Sequence, residues 1–175
     1  AVLNDDTEAS PEWLAALLAE VDDARVGSVA SLLVYADRPN IVQSAGVAMD
    51  CAAIAWDRLG GLPVQEAAQR AAIFGASGGA ALYRRSMLDE IGMFDERFFA
   101  YLEDVDLAWR AERAGWRCRY AAGALVRHHT SATSGAGSPF KQRLIARNKV
   151  WLMAKHARLR ELPLMVVFDA MAVVY

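Results

Sequence analysis

The segment FAYLEDVDLAWRAERAGW, residues 99–116, carries a pair of carboxylates between an aromatic turn and an amphipathic pattern. Its apolar spacing predicts a helix over residues 104–114, which Gly115 ends. A helix N-terminus stabilises the charged form of Asp104, whereas exclusion of water by nearby aromatic side chains raises its pKa. By themselves, Glu103 and Asp104 therefore indicate either a helix cap or a carboxylate that can accept a proton. The aromatic side chains expected to exclude water are Phe98, Phe99 and Tyr101.

Extended and helical patterns alternate upstream of this segment. Residues 1–3 resemble the end of a buried strand, and residues 26–35 predict a second one. Ser10 and Pro11 predict the start of a helix, because Ser caps free N–H groups and Pro fits the first turn. SMLDEIG, residues 86–92, predicts a short helix whose final glycine is the C-cap. The apolar face predicted for the first helix consists of Trp13, Leu14, Leu17, Leu18 and Val21.

Strand and helix patterns also alternate in the last third of the chain. WRCRYA, residues 116–121, and ALVRHH, residues 124–129, predict two short strands. TSATSGAGSP, residues 130–139, predicts a mobile linker, and a final helix follows. Strands mixed with helices predict an α/β domain. The final helix carries the apolar residues Phe140, Leu144, Val150, Trp151 and Met153 beside the basic residues Lys141, Arg143, Arg147 and Lys149.

Composition predicts one globular domain with a substantial core. The chain has 175 residues, 55% of them apolar, and a net charge of -2. With 19 basic and 21 acidic residues, it has no general attraction for nucleic acid, so an anionic ligand must be held locally. Cys51 and Cys118 form neither a disulfide framework nor a C-x-x-C pair, which predicts reduced, buried thiols in a cytosolic setting.

The ends of the sequence predict an excised piece of a longer protein. AVLNDD, residues 1–6, looks like a core strand already in progress, with no signal peptide before it. The last segment is apolar but too short to span a bilayer, and Asp169 interrupts it. We therefore predict a domain over residues 1–160 and an apolar tail over residues 161–175 that begins a membrane-proximal helix.

Three further groups of residues have side chains suited to chemistry. Asn4, Asp5 and Asp6 follow a strand, where carboxylates either form a turn or bind a divalent cation that holds phosphates. His128 and His129 are adjacent on a strand, so at most one points into a shared site, where imidazole either packs or binds a metal. Arg143 and Arg147 lie together on the final helix, as a solvated face or as a diphosphate contact.

The order of these segments resembles the family-2 glycosyltransferases, particularly the bacterial rhamnosyltransferase-like and galactofuranosyltransferase-like branch. The resemblance covers nearly all of residues 1 to about 156. It is carried by LNDDTEASPEWL, IVQSAG, GASGGAALYRRSMLDEIGMFDERFFAYLEDVDLAWRAERAGWRCRY, RHHTSATSG and RNKVWLMAKH, of which FFAYLEDVDLAWR is the most specific. It implies a GT-A fold, a Rossmann-like mixed sheet flanked by helices, here without its N-terminal nucleotide-binding strands. It also implies inverting transfer of a sugar from a nucleotide-diphosphate donor.

The resemblance implies a role for each matching residue. LNDDT matches the family's DxD-type motif, with Asn4 in its first place and Asp6 as the ligand of Mn²⁺ or Mg²⁺. Asp5 is expected near the donor sugar or ribose. LED matches the acidic motif, which makes Asp104 the general base and Glu103 the residue that orients the acceptor. The remaining assignments are His128 as a metal ligand, with His129 as second choice, Ser77, Gly78 and Gly79 as the sugar-pocket loop, and Arg147 as a diphosphate contact.

The implied partners are a nucleotide-diphosphate sugar and a glycan or lipid-linked glycan acceptor, and nucleic acid is not among them. The implied location is the cytoplasmic face of the cell membrane, with peripheral association. The sequence leaves two other classes of protein open. One is a non-catalytic glycan-binding module that kept the acceptor side and lost donor binding. The other is a metal-dependent hydrolase or phosphatase using Asp6.

Overall fold

The computed structural model describes residues 1–50, 53–69, 71–129 and 138–157. Within them lies a mixed sheet flanked by helices, which confirms the predicted α/β class. The predicted tail over residues 161–175, the boundary at residue 160, Cys51 and nearly all of the predicted linker lie outside the described residues. The strands are β1 (Val2–Leu3), β2 (Thr7–Ala9), β3 (Val26–Tyr35), β4 (Val42–Ser44), β5 (Val47–Met49), β6 (Ala55–Asp57), β7 (Ala71–Ile73), β8 (Ala80–Tyr83) and β9 (Arg117–His128). The helices are α1 (Trp13–Leu18), α2 (Arg85–Ile91), α3 (Glu103–Arg113) and α4 (Pro139–His156).

Two long parallel strands, β3 and β9, form the centre of the sheet. The strand order is β1-β8-β3-β9-β2, with β4 pairing β3 and β7 pairing β9, while β5 and β6 form a separate small sheet. All residues of β3 except Tyr35 are buried, as expected for a strand covered on both faces. Alternate residues of β3 join different clusters: Val29 packs with α1, whereas Ala30 packs in the central cluster with Tyr120. Burying each large apolar side chain stabilises the folded chain by about 1.5–3 kcal/mol.

The prediction that Ser10 caps α1 is wrong. The helix begins at Trp13, and its N-cap is Glu12, which makes no side-chain capping bond. The Ser10 N–H instead donates to the carbonyl of Leu125 in β9, so Ser10 stays tied to the sheet. Because α1 has only six residues, one narrow stripe reaches the sheet through Trp13 and Leu17, and the predicted core residues Leu14 and Leu18 are exposed.

The two short strands predicted at residues 116–121 and 124–129 form one strand, β9. Its pairing with β3 is irregular where Tyr120 lies opposite Ala30 and Leu125 lies opposite Leu32. Extra residues are therefore accommodated on the β9 side. This irregularity falls at the small residues that separate the two apolar patterns, which explains why the sequence indicated two strands. Cys118, on the same strand, is a buried free thiol as predicted.

Helices α3 and α4 pack together through a second cluster. Val105 and Trp109 of α3 contact Leu152 and Met153 of α4, together with Phe98. Gly115 follows α3 with a φ of +80°, a conformation that favours glycine and ends the helix as predicted. Ser138 caps α4 by accepting a hydrogen bond from the N–H of Lys141. In the described part of the chain, no helix is both long and apolar enough to cross a membrane.

Candidate active site

Four segments that are distant in sequence meet around the carboxylates at the start of α3. The Asn4 N–H donates to the carbonyl of Gly79 at 3.0 Å, which joins the loop after β1 to the glycine loop before β8. The Gly78 N–H donates to Oδ2 of Asp104 at 2.9 Å, which joins the glycine loop to α3. Pairing of Thr7 with His128 brings the end of β9 beside the same loop. The sheet register therefore creates a site that no single segment contains.

Asp104 is held as a carboxylate whose proton affinity is raised. Desolvation raises its pKa, and backbone hydrogen bonds from Gly78 and Val105 partly offset that effect. The Val105 N–H donates to Oδ1 at 2.8 Å, so both carboxylate oxygens are oriented. A side chain at Gly78 would crowd this arrangement, because a Cβ there would lie 3.3 Å from Oε1 of Glu103 and 3.6 Å from Cβ of Asp104.

The turn before Asp104 is strained. Phe99, Tyr101 and Leu102 all have φ near +66° to +68°, which costs free energy for residues with a side chain. Leu102 is the N-cap of α3. The expectation that three aromatic side chains exclude water is wrong for one of them. Phe98 is buried, but Phe99 is 75% exposed because its left-handed backbone turns the side chain outward.

Glu103 lies beside Asp104, and its buried Oε2 has no hydrogen-bond partner among the residues that the structure describes. Desolvation, followed by the charge of Asp104, raises the pKa of Glu103 to about 7. Near neutral pH this side chain therefore exchanges a proton readily, and its protonated form can donate a hydrogen bond. This property suits a residue that contacts a hydroxyl group, the role that the resemblance implies for Glu103.

Glu103→Gln is expected to stabilise the chain above neutral pH. The pKa of Glu103 is about 7 in the folded chain and 4.5 as an ordinary value, so the wild type loses stability as pH rises between these values. The variant should have an unfolding free energy higher by up to about 3 kcal/mol at pH 8 and nearly equal at pH 4. Urea unfolding at both pH values measures the difference, with the exposed Glu112→Gln as control. A pH-independent difference would contradict the prediction.

Asp6 and His128 form a pair suited to a divalent cation. Nε2 of His128 lies 3.0 Å from Oδ1 of Asp6, a buried atom for which the described residues offer no further hydrogen-bond partner. Nδ1 of His128 lies 2.7 Å from Oε1 of Gln43, an atom that only accepts, so Nδ1 donates this hydrogen bond and Nε2 is the ring nitrogen that faces Asp6. Two ligands at right angles around a divalent cation lie about 3.0 Å apart. The residues present therefore fit a metal.

Further ligands would have to come from elsewhere, because no group of three or more His, Cys, Asp or Glu side chains is placed to hold a metal within the described ranges. His129, the second choice, points away from this pair. Its Nε2 lies 3.2 Å from Oε1 of Glu8, and its side chain is largely exposed. The alternation of side chains along β9 thus separates the two histidines.

Of the other residues predicted to bind the sugar donor, some lie in the site and others lie beside it. Oγ of Ser77 lies 3.5 Å from the N–H of Gly79, and a Cβ at Gly79 would lie 3.9 Å from Nδ2 of Asn4. Asp5 is exposed in the same loop as Asn4. Arg147 lies on α4, where its guanidinium donates to the carbonyl of Phe98 at 2.7 Å. Its contact with a diphosphate stays a prediction.

Sequence reasoning missed Asp57 and Gln43. Asp57 ends β6, and its charge helps to raise the pKa of Asp104, after desolvation as the main cause. It also lies within electrostatic reach of His128, so it connects the two halves of the site. A carboxylate at the end of a short strand was the available signal for Asp57. No sequence pattern indicated Gln43, since only the fold brings it to His128.

The described fold is that of the GT-A glycosyltransferases. The crystal structure of GalNAc-T7 with UDP, GalNAc and Mn²⁺ is similar over 87% of this chain and 30% of the GalNAc-T7 chain, with a TM-score of 0.61 and 16% identity. At that identity the match shows the fold alone. The chain belongs to glycosyl transferase family group 2, whose model matches residues 1–163.

Two curated relatives share parts of the sequence. The N-acetylglucosaminyl-diphospho-decaprenol L-rhamnosyltransferase of Mycobacterium tuberculosis is 48% identical over 59 residues, which are 34% of this chain and 19% of that protein. The O-antigen biosynthesis protein RfbC of Myxococcus xanthus is 29% identical over 145 residues, which are 77% of this chain and 11% of that protein. The matched parts of the chain therefore span less than a fifth of the length of either relative.

Proposed function

We propose that this domain transfers a sugar from a nucleotide-diphosphate donor to a hydroxyl of a glycan or lipid-linked acceptor, with inversion at the anomeric carbon. The observation that carries the proposal is the hydrogen bond between the Gly78 N–H and Asp104. It places a carboxylate of raised pKa against a loop of small residues whose last member, Gly79, bonds to Asn4. Membership of the family and the names of its relatives support the reaction class.

In this mechanism Asp104 removes the proton of the acceptor hydroxyl. Its raised pKa makes it a stronger base than an ordinary aspartate, and two backbone N–H groups hold its oxygens in place. Glu103 contacts the acceptor and keeps it in line with the donor carbon. General-base assistance contributes about 10²–10⁴-fold to such reactions. Asp57 adds negative charge that favours proton uptake by Asp104.

The donor side is assigned to the opposite half of the site. Asp6 and His128 would hold Mn²⁺ or Mg²⁺, and the bound cation would supply positive charge against the diphosphate of the donor. Asn4, Asp5 and the residues 77–79 contact the donor sugar or ribose, where missing side chains let backbone N–H groups approach. Arg147 is the remaining proposed diphosphate contact. In this scheme Gln43 accepts a hydrogen bond from Nδ1 of His128, which leaves Nε2 as the nitrogen that would bind the cation.

The acceptor and the cellular location are proposed from the relatives. The mycobacterial relative is named for a diphospho-decaprenol substrate, and the myxobacterial relative for O-antigen biosynthesis. A lipid-linked acceptor would bring the domain to the cytoplasmic face of the cell membrane by peripheral association. The apolar residues of the chain's last segment are consistent with such proximity.

Calorimetric titration with UDP, dTDP and GDP, each with and without Mn²⁺, tests the donor side. We expect one nucleotide to bind in a manganese-dependent manner and Asp6→Ala to weaken that binding at least tenfold, because one charged ligand is lost. Asp89→Ala is the matched control, since Asp89 is a largely exposed carboxylate paired with Arg85 in α2. Absence of nucleotide binding by the folded protein would instead favour a non-catalytic module.

A further inference from the structure

The turn before the proposed base needs contacts from other parts of the chain to hold its backbone. Three of its residues, Phe99, Tyr101 and Leu102, have left-handed backbones although none is glycine. Such conformations persist only where the surrounding structure holds them. Leu102 also starts α3, since its carbonyl accepts from the N–H of Asp106 at 3.0 Å. If the turn relaxes, the first turn of α3 and Asp104 move with it.

One buried side chain of α4 contacts this turn at three points. Asn148 is 1% exposed. Its Nδ2 lies 3.0 Å from the carbonyl oxygen of Phe98, 2.7 Å from that of Ala100 and 2.7 Å from that of Tyr101. These carbonyls lie among the residues with positive φ, and the two N–H groups of the amide are shared between them. A buried carbonyl that has no hydrogen-bond donor destabilises the folded chain.

Arg147 sets the orientation of the Asn148 amide. Its Nε donates to Oδ1 of Asn148 at 2.9 Å, which fixes the oxygen on that side and directs the NH₂ group toward the turn. The same guanidinium donates through Nη2 to the carbonyls of Phe98 and Arg97. A reversed amide would place its oxygen against three carbonyl oxygens. The two adjacent side chains therefore act together on one short segment.

The helix that carries these side chains is anchored independently of them. At its C-terminal end, Nζ of Lys155 lies 2.7 Å from Oδ2 of Asp95 and 2.6 Å from Oδ1 of Asp106. Leu152 and Met153 pack in the cluster that contains Phe98. The position of α4 against α3 thus does not depend on Asn148, which acts from a fixed support.

We propose that Asn148, oriented by Arg147, is a positioning residue that holds the turn over residues 97–102 in its left-handed form and thereby sets the position of Asp104. This inference rests on the proposed function of Asp104 as the base. Asn148 touches neither the donor nor the acceptor in this scheme. Its substitution should therefore change the rate of transfer and not the affinity for the donor.

The test uses Asn148→Asp, which keeps the shape of the side chain and replaces its donor group by an acceptor. We expect kcat to fall at least tenfold, while the Kd for the nucleoside diphosphate with Mn²⁺ changes less than twofold. The control is Gln142→Ala, an exposed position on the same helix. Asn148→Ala is the second variant if the first does not fold. A folded variant with wild-type kcat would overturn the proposal, as would equal losses in kcat and donor affinity.

Hydrogen exchange gives a readout that does not depend on activity. The amides of Phe99, Ala100 and Asp106 donate within or directly after the turn. We expect them to exchange at least tenfold faster in Asn148→Asp than in Gln142→Ala, with β3 unchanged. Unchanged exchange at these amides would overturn the proposal even if transfer is lost. If the wild type transfers no sugar, the proposed function fails, and the exchange data still decide the role of Asn148 in the turn.

Discussion

Asp104→Asn is expected to lower kcat for sugar transfer by about 10²–10⁴-fold, the usual contribution of a general base. The amide has the same size and its oxygen can still accept a hydrogen bond from Gly78 or Val105, but it cannot take a proton from the acceptor hydroxyl. Donor binding should stay nearly intact, because Asp104 lies on the acceptor side of the proposed site. Initial rates with the nucleotide sugar selected by calorimetry measure the effect.

The matched control for this prediction is Asp89→Asn, which removes a carboxylate from an exposed pair with Arg85. It should leave the rate unchanged. The pH profile adds a second check, because the base works only when ionised. Desolvation raises the pKa of Asp104, so kcat/KM should rise with pH through a range above the ordinary value for aspartate. Retention of more than a tenth of the activity in Asp104→Asn would contradict its assignment as base.

Asp106→Ala is expected to lower the free energy of unfolding by about 3–5 kcal/mol, the usual cost of removing one partner from a buried ion pair. Asp106 is 0% exposed. Its oxygens lie 2.9 Å from Nε of Arg110, 2.8 Å from Nε2 of His156 and 2.6 Å from Nζ of Lys155. The variant leaves these positive or polar groups facing one another without their carboxylate. Urea unfolding at pH 7 measures the loss.

The chain offers a closely matched control for this variant. Asp89 and Arg85 form an exposed pair with the same four-residue spacing in α2, so Asp89→Ala should cost less than about 1 kcal/mol. Similar losses in both variants would contradict the proposed importance of burial. Loss of α4 contacts in Asp106→Ala should also increase exchange in α3, because Lys155 and His156 join the two helices through this carboxylate.

The free energy of unfolding is also expected to depend on pH through Asp106. Burial alone raises the pKa of Asp106, but hydrogen bonds from His156 and Lys155 and the charge of Arg110 outweigh it and lower the pKa to about 2. Its contribution, about 2 kcal/mol, is therefore present above the ordinary pKa of 3.8 and is lost as pH falls through about 2. In Asp106→Ala this part of the acid-induced loss should disappear.

Local patterns predicted the central elements because those elements depend on neighbouring residues. The apolar run at residues 26–35 matches β3 at both ends, and the spacing after Asp104 places α3 within one residue of its start. Patterns failed where a distant contact competes with a local preference. Ser10 bonds to β9 instead of capping a helix, and Phe99 turns outward on a left-handed backbone that no local signal indicates.

The sequence by itself determined the α/β class, the main elements and, through its resemblance, the family and the acidic residues expected to do the chemistry. Only the tertiary structure decided that His128 rather than His129 meets Asp6, that Gln43 and Asp57 join the site, and that Asn148 supports the turn before Asp104. The reason is physical. Propensity acts over a few residues, whereas these contacts join residues tens of positions apart through sheet register and helix packing, which only the folded chain establishes.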